Sequence, residues 1–335
     1  MMSEQIMPVQ HKRIDYIDAM KALGIIAIVF YHVSDNLSLQ EWLSSFHLQV
    51  FFFAAGLTFR QRPIKEYTLD KFFKLLVPYY FFAVVTAIYG LAFERHFREV
   101  SYSFTSCICG IITGEGRYLK FNVVLWFLPA LFITLCVFNV VVNLFSRRKI
   151  IIYVITAVFA GIHSFMQIPP MFFGIEHIFY YTAFVAAGYA FAQFFHNKEY
   201  AEHLDYKTVI LLTFFTGVLS VTAVFFLNSR LSTLWISSFL GIAFVLSLGF
   251  LLKSFKWLCY VGKNTLSIFA LHGIVYRGLL GAASLLLHLN ISDMRESNIC
   301  SIFVSVVTIL ICLALNAVLK KLIPWACGIR CPNKK

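Results

Sequence analysis

Ten stretches of this 335-residue chain are apolar over most of the length of a membrane-spanning helix. A helix needs about 20 mainly apolar residues to cross the hydrocarbon core of a bilayer. The pattern therefore predicts an all-α, polytopic integral membrane protein with about ten transmembrane helices. The second stretch is short, and we expect it to be tilted or re-entrant. The stretches are roughly 20–38, 43–59, 73–93, 121–145, 150–168, 175–195, 208–227, 232–252, 264–288 and 298–319.

The composition supports this class and excludes several others. Of the residues, 60% are hydrophobic and 13% are charged, whereas a soluble domain has about 45–50% apolar and about 25% charged residues. A soluble globular enzyme, a disordered chain and a small secreted disulfide scaffold are therefore excluded. The eight cysteines lie mostly in apolar runs and predict no metal site. Since there is no linker or clear repeat, we predict a single domain over residues 1–335.

The basic residues predict the orientation of the helices in the membrane. If the N-terminus is cytoplasmic, 21 of the 28 Lys and Arg residues fall in inside segments, six fall outside and Arg277 lies within a span. Cytoplasmic loops of membrane proteins carry an excess of Lys and Arg. We therefore predict that both termini are cytoplasmic. The same rule accounts for the net charge of +12, so no nucleic-acid partner is expected.

Four ionisable residues of the first two predicted helices are candidates for catalysis, because charge at membrane depth is costly and needs a reason. Lys21 and His32 share one helix face and lie about 16 Å apart along the axis. Asp35 follows His32 by three residues, so the two could meet on one face, where a carboxylate would make the imidazole a better base. His47 opens the second helix at a similar depth. The alternative is a histidine whose polar atoms are satisfied by a neighbouring helix.

Two further pairs of polar residues are candidates for binding an anionic cofactor. Lys71 and Lys74 are three apart before the third helix and could clamp phosphates as point charges. The alternative is ordinary positive charge on an inside loop. His272 and Arg277 lie within the ninth predicted helix. An arginine in the middle of a span is costly, so it indicates a functional role.

The outer ends of the fourth and sixth predicted helices carry three candidate substrate-binding residues. Trp126 opens the fourth helix, and Glu176 and His177 open the sixth at the same level. The alternative for the tryptophan is the aromatic belt found at membrane interfaces.

Five stretches in this order resemble the membrane-bound acyltransferase 3 family, in particular its fucose 4-O-acetylase-like branch, and the resemblance covers about residues 14–325. They are Asp18–Lys21 with Phe30–His32, Ser45–His47 with Phe51–Gly56, Lys74–Tyr79, Leu125–Phe132, and Tyr260–Ile268 with His272.

The resemblance implies an O-acyltransferase with acetyl-CoA as the donor and a carbohydrate hydroxyl as the acceptor. His32 matches the family's proposed catalytic histidine, and Lys21 matches the basic residue 11 positions earlier, which is Arg in many members. His47 matches the histidine of the second-helix motif, where Gln49 stands in place of the usual Pro. Lys71 and Lys74 match the basic pair before the third helix, which is Arg in many relatives.

The sequence and the resemblance together predict a bacterial plasma (inner) membrane O-acetyltransferase that works among membrane lipids without a metal. The acceptor is expected to be a cell-surface or lipid-linked carbohydrate, and His32 a general base or a transient acyl acceptor. Succinyl is an alternative acyl group. A transporter or flippase for a lipid-linked glycan, and an inactive binding or sensing module, are alternative functions. The expected catalytic residues are His32, His47, Lys21 and Asp35; acetyl-CoA would contact Lys71, Lys74, His272 and Arg277; the acceptor would contact Trp126, Glu176 and His177.

Overall fold

The computed structural model of the chain describes residues 14–94, 104–196, 205–227 and 235–329, and these residues form helices and connecting turns without a strand. The α-helices are α1 (Asp15–Val33), α2 (Leu37–Ser44), α3 (Gln49–Leu57), α4 (Ile64–Lys71), α5 (Val77–Ala92), α6 (Phe104–Thr113), α7 (Phe127–Phe145), α8 (Lys149–Phe165), α9 (Ile178–His196), α10 (Tyr206–Phe226), α11 (Ser237–Leu252), α12 (Lys256–Lys263), α13 (Thr265–Leu287), α14 (Ile291–Glu296) and α15 (Asn298–Leu322).

Seven helical segments of the described residues are long and apolar enough to cross a membrane. The predicted all-helical, multi-span class is thereby confirmed. Three of the ten predicted spans differ from this set: α8 and α11 have 17 and 16 residues, and 43–59 is a broken segment rather than one helix. The start of the predicted span 232–252 lies outside the described residues. The seven are Asp15–Val33, Ile64–Ala92, Val123–Phe145, Phe172–Phe195, Tyr206–Phe226, Thr265–Leu287 and Asn298–Leu322.

The break in the second predicted span has a local cause in its polar side chains. Between α2 and α3, Ser45 Oγ donates to Trp42 O at 2.7 Å, and His47 Nδ1 lies 2.7 Å from Leu43 O. Side chains that bond to nearby carbonyls compete with the regular helical ladder. The turn therefore places His47 inside the protein between two short helices.

A second irregularity joins α4 to α5. The segment Phe72–Leu76 is a π-helix, and the Val77 amide donates to Phe72 O, five residues back. Pro78 follows directly and has no N–H to donate to Lys74 O, where a regular helix would need it. A widened turn of this kind is common at functional sites, and here it carries Lys74 and follows Lys71.

The helix α1 lies at the centre of the protein and packs against α3, α11, α12, α13 and α15. The close contact of α3 with α9 depends on two glycines. A Cβ atom on Gly56 would lie 2.1 Å from Val185 O, and one on Gly188 would lie 2.1 Å from Phe53 O. These contacts hold α3, and the turn that carries His47, against the body of the protein.

Candidate active site

Two histidines from distant parts of the sequence meet at the centre of the protein. The ring centroids of His32, on α1, and His272, on α13, lie 5.3 Å apart. His272 is fully buried, whereas His32 is half-buried. Neither ring nitrogen of His32 has a hydrogen-bond partner among the described residues. The imidazole of His32 is thus available to a reacting group.

The hydrogen bonds of His272 fix which of its nitrogens carries a proton. Its Nδ1 lies 2.7 Å from Phe269 O and 3.2 Å from Ile268 O. A carbonyl only accepts, so Nδ1 must be the donor and Nε2 of the neutral ring is an acceptor. This Nε2 is buried and has no partner among the described residues.

A third histidine belongs to the same cluster. Tyr31 stacks on His47 with centroids 5.0 Å apart and meets the edge of His32, also at 5.0 Å. The bond from His47 Nδ1 to Leu43 O leaves Nε2 as the acceptor of that ring. The structure therefore brings His32 and His47, two of the predicted catalytic residues, to one cluster with Tyr31 between them.

The expected helical pairing of His32 with Asp35 does not form, because α1 ends at Val33 and Ser34 is extended. Asp35 Oδ1 instead lies 2.8 Å from Arg295 Nη2, on α14. The same guanidinium donates from Nε to Val33 O at 3.0 Å and from Nη2 to His32 O at 3.2 Å. Asp35 thus acts on His32 through the end of the helix rather than through the imidazole.

The three predicted lysines line one cavity of about 350 Å³. Lys21 comes from α1, Lys71 from the end of α4 and Lys74 from the π-helical segment. Thr265, at the start of α13, lines the same cavity. Because α1 and α13 both begin here and bring His32 and His272 together further along, the two helices run in the same direction.

The three ammonium groups differ in their partners. Lys21 forms an ion pair with Asp18 at 2.9 Å, and Lys74 forms one with Asp70, also at 2.9 Å. Lys71 Nζ lies 5.2 Å from the centroid of the Tyr67 ring and has no carboxylate partner among the described residues. Lys71 is therefore the lysine of this cavity whose charge is least compensated.

Aromatic side chains connect the lysine cavity to the histidines. Phe127 and Phe269 line the cavity and contact each other with centroids 4.9 Å apart. The ring of Phe269 also lies 5.9 Å from that of His272. The cavity thus has a cationic part and an apolar part, and the apolar part ends near His272 and His32.

Arg277 and His272 are not among the residues that line the lysine cavity. The Nε atom of Arg277 lies 2.9 Å from Glu94 Oε1, and its Nη2 donates to Phe121 O at 2.6 Å. Arg277 and His272 therefore lie outside the part of the site that holds Lys71 and Lys74.

The predicted substrate-binding residues lie together at another part of the site. The rings of Trp126 and His177 are 4.4 Å apart, and Tyr181 lies 5.7 Å from His177. Glu176 Oε1 is 3.5 Å from His177 Nε2, while its Oε2 accepts from the Met171 amide. Trp126 and His177 are both half-buried, so their rings offer a partly open aromatic face.

Two residues of this site could not be found from the sequence. Arg295 looks like any basic residue of a loop, and Asn122 looks like any loop amide. Asn122 is buried, and its Nδ2 donates to Ala270 O at 2.8 Å. Both residues act across long sequence separations that no local spacing reveals. Within the described ranges, no group of three or more His, Cys, Asp or Glu is arranged to hold a metal.

Comparison with known proteins identifies the family. A family model described as an acyltransferase domain matches residues 14–325, a range that includes the histidine cluster and the three lysines of the cavity. No curated protein and no solved structure matches the chain. Because the family model covers nearly the whole chain, and because the chain has several apolar helices long enough to cross a membrane, this protein belongs to the acyltransferase 3 family of multi-pass membrane acyltransferases.

Proposed function

We propose that the protein transfers an acetyl group from cytoplasmic acetyl-CoA to a hydroxyl of a cell-surface or lipid-linked carbohydrate. One observation carries this proposal: a single cavity has three lysines at one part, and its apolar lining of Phe127 and Phe269 ends near the His32–His272 pair. An acyl-CoA has the matching shape, with phosphates at one end and a thioester on a thin arm.

The lysine cavity supports docking of the donor. Lys71 and Lys74 would bind the phosphates as point charges, with Lys21 nearby. If this face is cytoplasmic, as the distribution of basic residues predicts, acetyl-CoA reaches it directly. We assign the protein to the bacterial plasma membrane with about ten spans. The seven long helical segments are then joined in the bundle by α8, α11 and the broken α2–α3 segment. The lysine at position 21 agrees with the fucose 4-O-acetylase-like branch.

The chemistry uses His32 as a general base. Its imidazole takes the proton of the acceptor hydroxyl while the hydroxyl oxygen attacks the thioester carbonyl carbon. A carbon–oxygen bond forms, the carbon–sulfur bond breaks, and the departing CoA thiolate takes the proton back from His32. The net reaction converts an alcohol and a thioester into an ester and a thiol. His47, which stacks on Tyr31 in the same cluster, could hold the acceptor by accepting a hydrogen bond from another of its hydroxyls at Nε2.

The aromatic group of Trp126, His177 and Tyr181 supports a carbohydrate as the acceptor. Sugar rings present apolar C–H faces that pack on aromatic rings, and a half-buried tryptophan offers such a face. Glu176, beside His177, could accept a hydrogen bond from a sugar hydroxyl.

The decisive variant is His32→Ala. Purified protein in lipid vesicles is supplied with acetyl-CoA labelled in its acetyl group and with mild-alkali-deacylated glycan from the native cells. We expect wild-type protein to label the glycan, the variant to lose transfer by at least a hundredfold, and His288→Ala, a histidine at the end of α13, to retain it.

Three results would overturn the proposal. Near-normal transfer by His32→Ala would remove the histidine from the mechanism. Wild-type protein that binds acetyl-CoA but labels no glycan would indicate a binding or sensing module, whereas glycan transport without acetyl-CoA turnover would indicate a flippase.

A further inference from the structure

A small gap lies beside Gly273 on α13, one residue after His272. A Cβ atom built on Gly273 would lie 3.3 Å from Asn122 Oδ1 and 3.4 Å from Arg277 Nη1. Among the described residues, no other heavy atom lies within 4 Å of that position, leaving aside the two adjacent residues and the backbone of the same helix. Gly273 is itself buried. The gap is therefore internal and bounded by polar atoms.

The amide of Asn122 presents an unused acceptor to this gap. Its Nδ2 faces the carbonyl of Ala270, which can only accept, so Oδ1 must point the other way. Asn122 is 2% exposed, and its Oδ1 has no hydrogen-bond partner among the described residues. Buried polar atoms in native proteins are nearly always satisfied, so an orphan of this kind needs an explanation.

A second orphan acceptor lies within the same helical turn. His272 Nε2 is an acceptor, because Nδ1 of that ring carries the proton. It is buried and has no hydrogen-bond partner among the described residues. Its ring packs against His32. Asn122 Oδ1 and Arg277 Nη1 thus lie beside α13 at Gly273, one residue after the histidine whose ring packs against His32.

The chemistry of these atoms selects the kind of ligand. Two acceptors require a ligand that donates hydrogen bonds, and Arg277 Nη1 requires one that also accepts. A thioester has no donor, and a phosphate dianion would be repelled by the two acceptors. The amides of a pantetheine arm donate and accept on opposite sides of the chain, whereas each hydroxyl of a carbohydrate donates and accepts at a single atom.

We infer that Asn122, Arg277 and the space beside Gly273 form a subsite for a hydroxyl of the carbohydrate acceptor next to the hydroxyl that is acylated. Asn122 Oδ1 accepts from this hydroxyl and Arg277 Nη1 donates to it, while the reacting hydroxyl, beside the ring of His272, gives its proton to His32. The ion pair of Arg277 with Glu94 holds the guanidinium in place for this contact. The inference rests on the proposed function and adds a specificity determinant to it.

The test uses Gly273→Ala, which fills the gap with one methyl group and breaks no hydrogen bond. Alanine is also the better helix former, so folding is retained. The matched control is Gly278→Ala on the same helix, where an added Cβ would have nothing within 4 Å. Transfer from labelled acetyl-CoA to the deacylated native glycan is measured at varied glycan and varied acetyl-CoA concentrations. A second variant, Asn122→Ala, removes the acceptor atom itself.

We expect Gly273→Ala and Asn122→Ala to raise the KM for the glycan at least tenfold while the KM for acetyl-CoA changes less than twofold. Gly278→Ala should match the wild type. An unchanged glycan KM in Gly273→Ala, or an equal rise in the KM for acetyl-CoA, would overturn the subsite. Absence of transfer by the wild type would instead overturn the proposed function, so the two failures are distinguishable.

Discussion

At the scale of single residues, the candidate site separates into lysines that carry charge and histidines that can accept protons. Lys21 and Lys74 each neutralise a neighbouring aspartate, so part of their charge is already used within the protein. Lys71 lies over the ring of Tyr67 and has no carboxylate at ion-pair distance among the described residues. A phosphate bound in the cavity therefore gains most from Lys71.

This difference predicts unequal effects of the two lysines of the basic pair. Lys71→Ala removes a charge-assisted hydrogen bond worth about 1.5–3 kcal/mol, so the KM for acetyl-CoA should rise about tenfold or more. Lys74→Ala should have a smaller effect, because Asp70 already offsets its charge. Steady-state kinetics at varied acetyl-CoA would measure both, with the exposed Lys65→Ala as the control. Equal effects of Lys71→Ala and Lys65→Ala would contradict the assignment.

The sequence could predict His32, His47 and the lysines because each lies at a recognisable place in a local pattern. It could not predict that His272 is the partner of His32, since 240 residues separate them and only the packing of α13 on α1 joins them. It also misplaced Asp35, because the spacing of three residues implies a shared face only while the helix continues, and α1 ends two residues earlier.

At the scale of elements, the short helix α14 holds the end of α1. The carbonyls of the last helical turn have no partner within the helix, and Arg295 donates to two of them, at His32 and Val33. The Asp35 amide donates in turn to Arg295 O at 3.0 Å. This reciprocal clamp fixes the turn of backbone that carries the imidazole of His32.

Arg295 is therefore predicted to be a positioning residue. In Arg295→Ala the last turn of α1 loses its cap and Asp35 loses its ion-pair partner, so His32 is held less well. A misplacement of about 1 Å can cost roughly a hundredfold in rate, and we expect kcat to fall on that order while both KM values stay within twofold.

The conservative variant distinguishes positioning from a general structural role. Arg295→Lys keeps one charged donor and should recover part of kcat, while Arg148→Ala, at an exposed arginine between α7 and α8, should match the wild type. A thermal unfolding curve would check that folding is retained. An increase in either KM comparable to the loss in kcat would show that Arg295 binds a substrate instead.

The broken and widened elements show why the number of spans was harder to predict than the fold class. Apolar length alone predicts a continuous helix over 43–59, but Ser45 and His47 bond to nearby carbonyls and produce a turn. Pro78 similarly changes the turn that carries Lys74. In both cases a polar residue or a proline inside an apolar run marks a functional position, a signal that could be used in reading similar sequences.

At the scale of the whole molecule, the structure links the donor cavity to the C-terminal segment. Cys327 and Gly328 line the cavity together with Lys71 and Lys74. A Cβ atom on Gly328 would lie 2.9 Å from Lys74 O, and its φ is +71°, a conformation that favours glycine. The segment that follows α15 therefore lies on the same side of the molecule as Lys71 and Lys74, whichever side faces the cytoplasm.

This connection predicts that acetyl-CoA acts only from the side on which the C-terminal segment lies. Membrane vesicles of both orientations would be prepared from cells that express the protein with a protease-cleavable tag after Lys335. In inside-out vesicles, added acetyl-CoA should support transfer to the glycan and the tag should be cleaved by added protease. In right-side-out vesicles, neither should occur, because acetyl-CoA is too polar to cross the bilayer.

Transfer from external acetyl-CoA in vesicles whose tag is protected would contradict the link between the lysine cavity and the C-terminal segment. Cleavage together with transfer in right-side-out vesicles would instead retain that link and reverse the orientation predicted from the basic residues.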